Sequence, residues 1–313
     1  MSETLERVTV AASEESQKLQ RHFGRFDILF FLICTIVGVD TIASVASSGG
    51  EAFTWMIVLA VIFFIPQALL FAELGSAFPQ EGGPYFWTRL AFGHLVGAIN
   101  NFLYWITNPV WIGGTLAGAC VGAIEGSDRA LAVSCYDGAG PRFLGVISAK
   151  YGTPGRVNIF SGIVATIVVI LAETITSGNA AKYFGAVLGV TISTTLISYL
   201  GIYPAVWKLR RSHPNVPRPF RMPWVPVLTV LLTLLILIAT IQLIMPGLGD
   251  QWFGSNYAPD GWDYSEKWIY LLTELVPVLC FALIGTLFWW LGRGTRAETT
   301  VMAADLLPEP IEG

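Results

Sequence analysis

Seven stretches of the chain, at roughly 27–46, 53–78, 95–124, 157–175, 183–207, 224–245 and 268–291, carry almost nothing but apolar side chains. Each suffices to cross a hydrocarbon core as a helix of about 20 residues. Hydrocarbon offers no partner for a free backbone N–H or C=O, so such a run resolves as a helix whose hydrogen bonds are internal. The pattern predicts an all-α, polytopic transmembrane helix bundle of about seven spans. It divides the chain into a tail over 1–25, three spans within 26–124, a connection over 125–156, four spans within 157–292 and a second tail over 293–313.

Composition gives the same class. Hydrophobic residues make up 54% of the 313 and charged residues 13%, where a soluble domain carries about 25% charged. Residues 1–25 hold Glu3, Glu6, Glu14, Glu15, Lys18, Arg21 and Arg25 around no apolar core, which fits neither a cleavable signal nor a transit peptide. Cys34, Cys120 and Cys280 lie in apolar stretches and Cys135 in the 125–156 connection, with no C-x-x-C and no histidine at zinc spacing, so no disulfide framework, metal site or cofactor is expected. No G-x-x-x-x-G-K-[ST], G-x-S-x-G or H-E-x-x-H occurs, which leaves ATP-driven pumping and hydrolysis by those routes without support. Neither an enzyme nor a nucleic-acid partner is expected.

Lys and Arg set the orientation. Lys208, Arg210, Arg211, Arg218 and Arg221 crowd between the fifth and sixth runs, and an excess of positive charge beside a span marks the cytoplasmic side. The next connection, 246–266, carries Asp250, Asp260, Asp263 and Glu266 with Trp252, Tyr257, Trp262 and Tyr264 but no Lys or Arg, and so should face outside. Both tails read as cytoplasmic by the same rule. Two cytoplasmic tails need an even number of crossings, whereas seven runs are found. Counting from either end disagrees at 125–156. The third run, broken by Asn108, Pro109, Gly113 and Gly114, is expected to enter and return without crossing.

The segment FGRFDILFFLICTIVGVDTIAS followed by AFTWMIVLAVIFFIPQALLFAELGSAFPQEGGPYFWTRLAFG resembles the first two spans of amino-acid permeases of the amino acid-polyamine-organocation superfamily. The most specific match is Glu73 near the inner end of the second span, followed by Pro79, Gly82, Gly83 and Tyr85. SDRALAVSCYDGAGPRFLGVISAKYGTPGRVN is similar to the family's loop between its eighth and ninth spans, with Arg129, Asp137, Gly138, Pro141, Thr153 and Pro154 at matching places. The last four spans resemble the family's ninth to twelfth. The resemblance implies an APC/LeuT-like fold in incomplete form, its central spans absent between about Ile124 and Ser127, which accounts for the clash of orientation.

The resemblance also implies a substrate site. Val37, Gly38, Val39, Asp40 and Thr41 stand where this superfamily unwinds its first helix, and freed backbone amides at a half-helix end bind a carboxylate. Close helix packing is the plainer reading of Gly38. Asp40 departs from the family's usual small residue. An acid in a span faces a cavity, a partner or water at the membrane surface, so contact with a substrate amine, a cation or a proton is expected, unless it simply reaches outside water. Trp105 and Asn108 are further candidates for lining the cavity, against packing as the commoner role of an aromatic in an apolar run. Glu73 reads equally as a solvated helix end or as part of an inner gate, and Glu173 and Glu274 as residues near span edges that reach the interface. The expected function is secondary active transport of amino acids or related amines across the plasma membrane, coupled to a proton or cation, in a multi-pass, lipid-embedded protein that forms a homo-oligomer. The alternative is a transport-inactive truncated permease or a membrane partner of a full-length one.

Overall fold

The computed structural model describes residues 49–79, 82–115, 121–148, 153–176, 179–246 and 262–299. The first apolar run, and with it Val37 to Thr41, lies outside the described residues, as does most of the 246–266 connection. Every regular element among the described residues is helical.

The second apolar run forms one continuous rod. It comprises α1 (Gly49–Leu59), a π-helical turn (Ala60–Phe64) and α2 (Ile65–Ala77). Pro66 explains the turn: proline has no N–H, and its ring crowds the carbonyl four residues earlier. Widening the helix just upstream relieves both, and Ile65 accordingly bonds back to the Ala60 carbonyl. Two glycines bracket α3 (Gly83–Phe92), Gly82 at φ 81° and Gly93 at φ 90°. At Gly82 space is also limiting, since a Cβ would fall 2.9 Å from Val133.

α4 (His94–Thr115) and α5 (Val121–Ser134) run antiparallel. The Asn101 amide donates to the Ala130 carbonyl at 3.3 Å and to Ser134 Oγ at 2.9 Å, while Trp105, one turn further along α4, meets Asp128. The chain that leaves on α4 therefore comes back on α5, and the π turn Cys135–Ala139 ends beside Tyr85 and Arg89 of α3. α4 runs on through Asn108, Pro109, Gly113 and Gly114 to Thr115, and the antiparallel α5 begins at Val121, still inside the third apolar run. α5 ends inside the 125–156 connection, where counting from the two ends disagrees. The expected junction at Ile124 to Ser127 falls inside the backbone of α5, with no break in the helix.

α6 (Gly155–Thr176), α7 (Ala180–Ser212), α8 (Val225–Ile244) and α9 (Lys267–Leu291) follow, with a short α10 (Arg293–Thr299). Five described helices are long and apolar enough to cross a membrane: Ala52–Ala77, Gly155–Thr174, Lys182–Ser212, Val225–Ile244 and Tyr264–Leu291. α4 is outside that set because Asn100, Asn101, Thr107 and Asn108 interrupt its apolar surface. Leu70, Leu74, Phe86, Tyr203 and Leu232 join α2, α3, α7 and α8 in one core. Phe102, Trp105, Leu131, Val157 and Phe288 join α4, α5, α6 and α9 in a second. Phe53, Trp55, Ile159, Ile170, Val227 and Leu283 point outward, as lipid-facing side chains must when the solvent is hydrocarbon.

Candidate functional site

Polar side chains gather inside the bundle in two groups that meet on α4. In the first, Trp105 is fully buried and donates from Nε1 to Asp128 Oδ1 at 2.8 Å and to Ser161 Oγ at 3.0 Å. Ser161 Oγ donates to the same Asp128 oxygen at 2.6 Å. Turned so that its nitrogen donates, the Asn158 amide reaches Asp128 Oδ2 at 2.9 Å. The Trp105 ring stacks on Phe160 at 5.1 Å, nearly parallel. Trp105 thus packs and at the same time serves an acid buried between α4, α5 and α6. Asn108 sits half-buried about one turn beyond it.

The second group lines the faces of α4, α7 and α9. Thr107 Oγ1 lies 3.0 Å from Thr194 Oγ1, and Thr195 Oγ1 donates to Thr107 at 3.3 Å. Thr107, Thr191, Thr194 and Thr195 also bond back to carbonyls one turn earlier, which lets hydroxyls sit in an apolar helix without unmet donors. Ser193 donates to Glu274 Oε2 at 3.4 Å. Glu274 does not reach the interface as expected for a span edge: it is 0% exposed. Gly189 makes the space, since a Cβ there would stand 2.2 Å from Glu274 Oε1.

At the basic end of the bundle two further acids are held by arginine. Glu73 is 2% exposed, so it is not a solvated helix end. Arg210 grips it bidentately, Nε to Oε1 at 2.6 Å and Nη2 to Oε2 at 2.5 Å. The Met222 amide donates to Oε2 at 2.8 Å, and Arg218 Nε stands 3.6 Å from Oε1. This ties the end of α2 to α7 and to the proline-rich connection before α8. Asp137 is bound by Arg89 and accepts from the Tyr85 hydroxyl. Burial pushes its carboxyl up to about 6 against the opposing pull of Arg89. Burial and the neighbouring Arg89 bring His94 down to about 4. Arg296 donates to the Gly138 carbonyl at 2.7 Å and lies over the Trp289 ring, fixing α10 on the same cluster.

Of the residues expected from sequence to contact substrate, the structure describes Trp105 and Asn108. Asp128 and Ser161 were not singled out. Asp128 falls in a segment read as a connection, and nothing local in the sequence signals a partner 33 residues away.

The family model described as amino acid permease matches residues 23–128 and 109–271, two stretches that overlap over 109–128. The chain is 38% identical over 90 residues to the probable agmatine/putrescine antiporter AguD of Lactococcus lactis subsp. lactis, covering 29% of this chain and 19% of that protein. It is 39% identical over 70 residues to the inner membrane transporter YjeM of Salmonella typhimurium, covering 22% and 14%. It is 34% identical over 89 residues to the aspartate-proton symporter of Bacillus subtilis, covering 27% and 17%. The chain thus spans less than a fifth of the length of these curated relatives. No solved structure matches it.

Proposed function

Because the chain belongs to the amino acid permease family, whose members are transporters and not enzymes, we propose that it moves amino acids or related amines across the plasma membrane by secondary transport. The family match across two stretches carries this reading. The relatives named for agmatine and putrescine, and for aspartate and protons, favour an amine-bearing substrate and a coupling proton. Buried polar groups between α4, α5, α6, α7 and α9 supply what a polar solute needs inside a membrane. In this proposal Val37, Gly38, Val39, Asp40 and Thr41 contact the substrate, with Asn108 and Trp105 on the α4 side. Saturable uptake by the purified chain in liposomes tests it, with putrescine, agmatine, aspartate and neutral amino acids offered under an imposed pH gradient. Uptake that Asp40→Asn diminishes without loss of folded protein is the expected result. Absence of saturable uptake for every solute offered overturns the reading.

The overlap of the two matched stretches at 109–128 favours a second reading, in which the chain lacks the family's central spans and attaches to a full-length permease instead of transporting. The intact mass of the protein from its native membranes separates the two. A mass above 34.1 kDa restores the central spans and the ordinary permease.

A further inference from the structure

Glu73 and Asp137 are each neutralised by arginine. Glu274 is not. Its carboxyl is fully buried within α9, its single hydrogen bond from Ser193 is long at 3.4 Å, and Oε1 has no partner among the described residues. Among the described residues, no cation faces it from the elements packed on α9. On α7, Lys182 is held by Glu266 at 2.7 Å, and Tyr183 lies beside it toward the outer end. On α4, Tyr104 neighbours Tyr199, and α8 carries no ionisable side chain. Asp137 of the Cys135–Ala139 turn belongs to Arg89, and Arg293 and Arg296 of α10 lie over Trp290 and Trp289. On α9 itself Lys267 lies over Tyr264 and Trp268, and Tyr270 donates to the Leu243 carbonyl.

A buried carboxylate without a counter-charge costs far more than a neutral acid, so such a group takes up a proton. A hard metal ion in its place needs about six or more oxygens and the room for them. Gly189 crowds Oε1 on the α7 side, and Ser193 is the one side-chain oxygen that reaches the carboxyl among the described residues, whereas a proton needs no further oxygens.

We propose that Glu274 is a proton-binding site, neutral while α7 lies against α9, which releases its proton to water when Gly189 and Ser193 move away. Resting on the transport reading above, this makes Glu274 the residue through which a proton gradient drives uptake. The proton arrives from water on one side and leaves to water on the other, with no other chemical change.

Infrared spectroscopy of the full chain in lipid tests the site without reference to transport. At neutral pH the protein should show the carbonyl band of a protonated carboxyl that shifts on carbon-13 labelling of glutamate and is absent from Glu274→Gln. Because the chain holds other glutamates, Glu274→Asp stands in where Glu274→Gln folds poorly: it keeps a carboxyl at the site, and its band should no longer shift with glutamate label. In liposomes, Glu274→Gln should reduce gradient-driven uptake to the level of empty vesicles while exchange at equal pH continues. A Glu274 that is ionised at neutral pH, or gradient-driven uptake that persists in Glu274→Gln, overturns the proposal. Absence of all exchange by the unsubstituted chain refutes the transport reading instead, and the infrared band then decides the proton site by itself.

Discussion

Replacing Glu73 by alanine removes at one stroke the acceptor of the Arg210 fork, of the Met222 amide and of Arg218. Breaking a buried ion pair by deleting one partner costs about 3–5 kcal/mol, because the remaining charge stays buried and unpaired. Arg210 is 28% exposed and can turn toward water, which moves the expectation to the lower end, about 3 kcal/mol. Arg218 is 4% exposed and keeps its bonds to the Val216, Leu209 and His213 carbonyls, so it adds little relief and little further loss. Chemical unfolding in bicelles of the parent, Glu73→Ala, Arg210→Met and the double variant gives the coupling directly. The double variant should be scarcely less stable than Glu73→Ala alone, with a coupling of about 2 kcal/mol. Single effects that simply add would show that the contact contributes nothing to the junction of α2 with α7, and the reasoning would be wrong.

Gly189→Ala places a methyl on Glu274 Oε1 and should cost about 1–3 kcal/mol as overpacking, with Glu274→Ala recovering part of that loss in the same unfolding assay. Trp105→Phe keeps the ring on Phe160 but removes a donor from Asp128, for an expected loss of about 1–2 kcal/mol by thermal unfolding; no loss would mean the hydrogen bond is not formed. His94, lowered to about 4, binds fewer protons folded than unfolded between its two values, so its contribution is complete at neutral pH and fades as pH falls. Asp137, raised to about 6, works in the opposite direction, gaining as pH falls, so the His94 effect is read as a difference. The parent should lose about 1 kcal/mol more than His94→Gln between about pH 7 and about pH 5, after discounting for the partial exposure of His94. Equal slopes would refute that assignment.

The spans were readable because lipid imposes a single demand on every outward residue. The runs at 53–78, 157–175, 183–207, 224–245 and 268–291 reappear as Ala52–Ala77, Gly155–Thr174, Lys182–Ser212, Val225–Ile244 and Tyr264–Leu291. α5 was not readable as a helix packed against α4. Its Glu125, Asp128 and Arg129 break the apolar window, and only the fold shows that Asp128 faces Trp105 and Ser161 instead of lipid. Glu274 was hidden for the converse reason. One acid in a run apolar on all sides says nothing about which neighbour it faces, and its pocket is made by the absent side chain of Gly189 on another helix. Glu73 could be placed at a span's inner end, but not its partner, since Arg210 lies 137 positions away among charges that already serve to orient the chain.

The antiparallel pairing of α4 and α5 has a consequence for how the protein is made. α5 holds 14 residues and three charged ones, too few and too polar to leave the insertion machinery for lipid unaided. Paired with α4, it offers Asp128 the Trp105 indole in place of hydrocarbon. Ser161 and Asn158 belong to α6, which is synthesised later. Until α6 is made, the Trp105 indole is the one side-chain donor that the described residues offer Asp128.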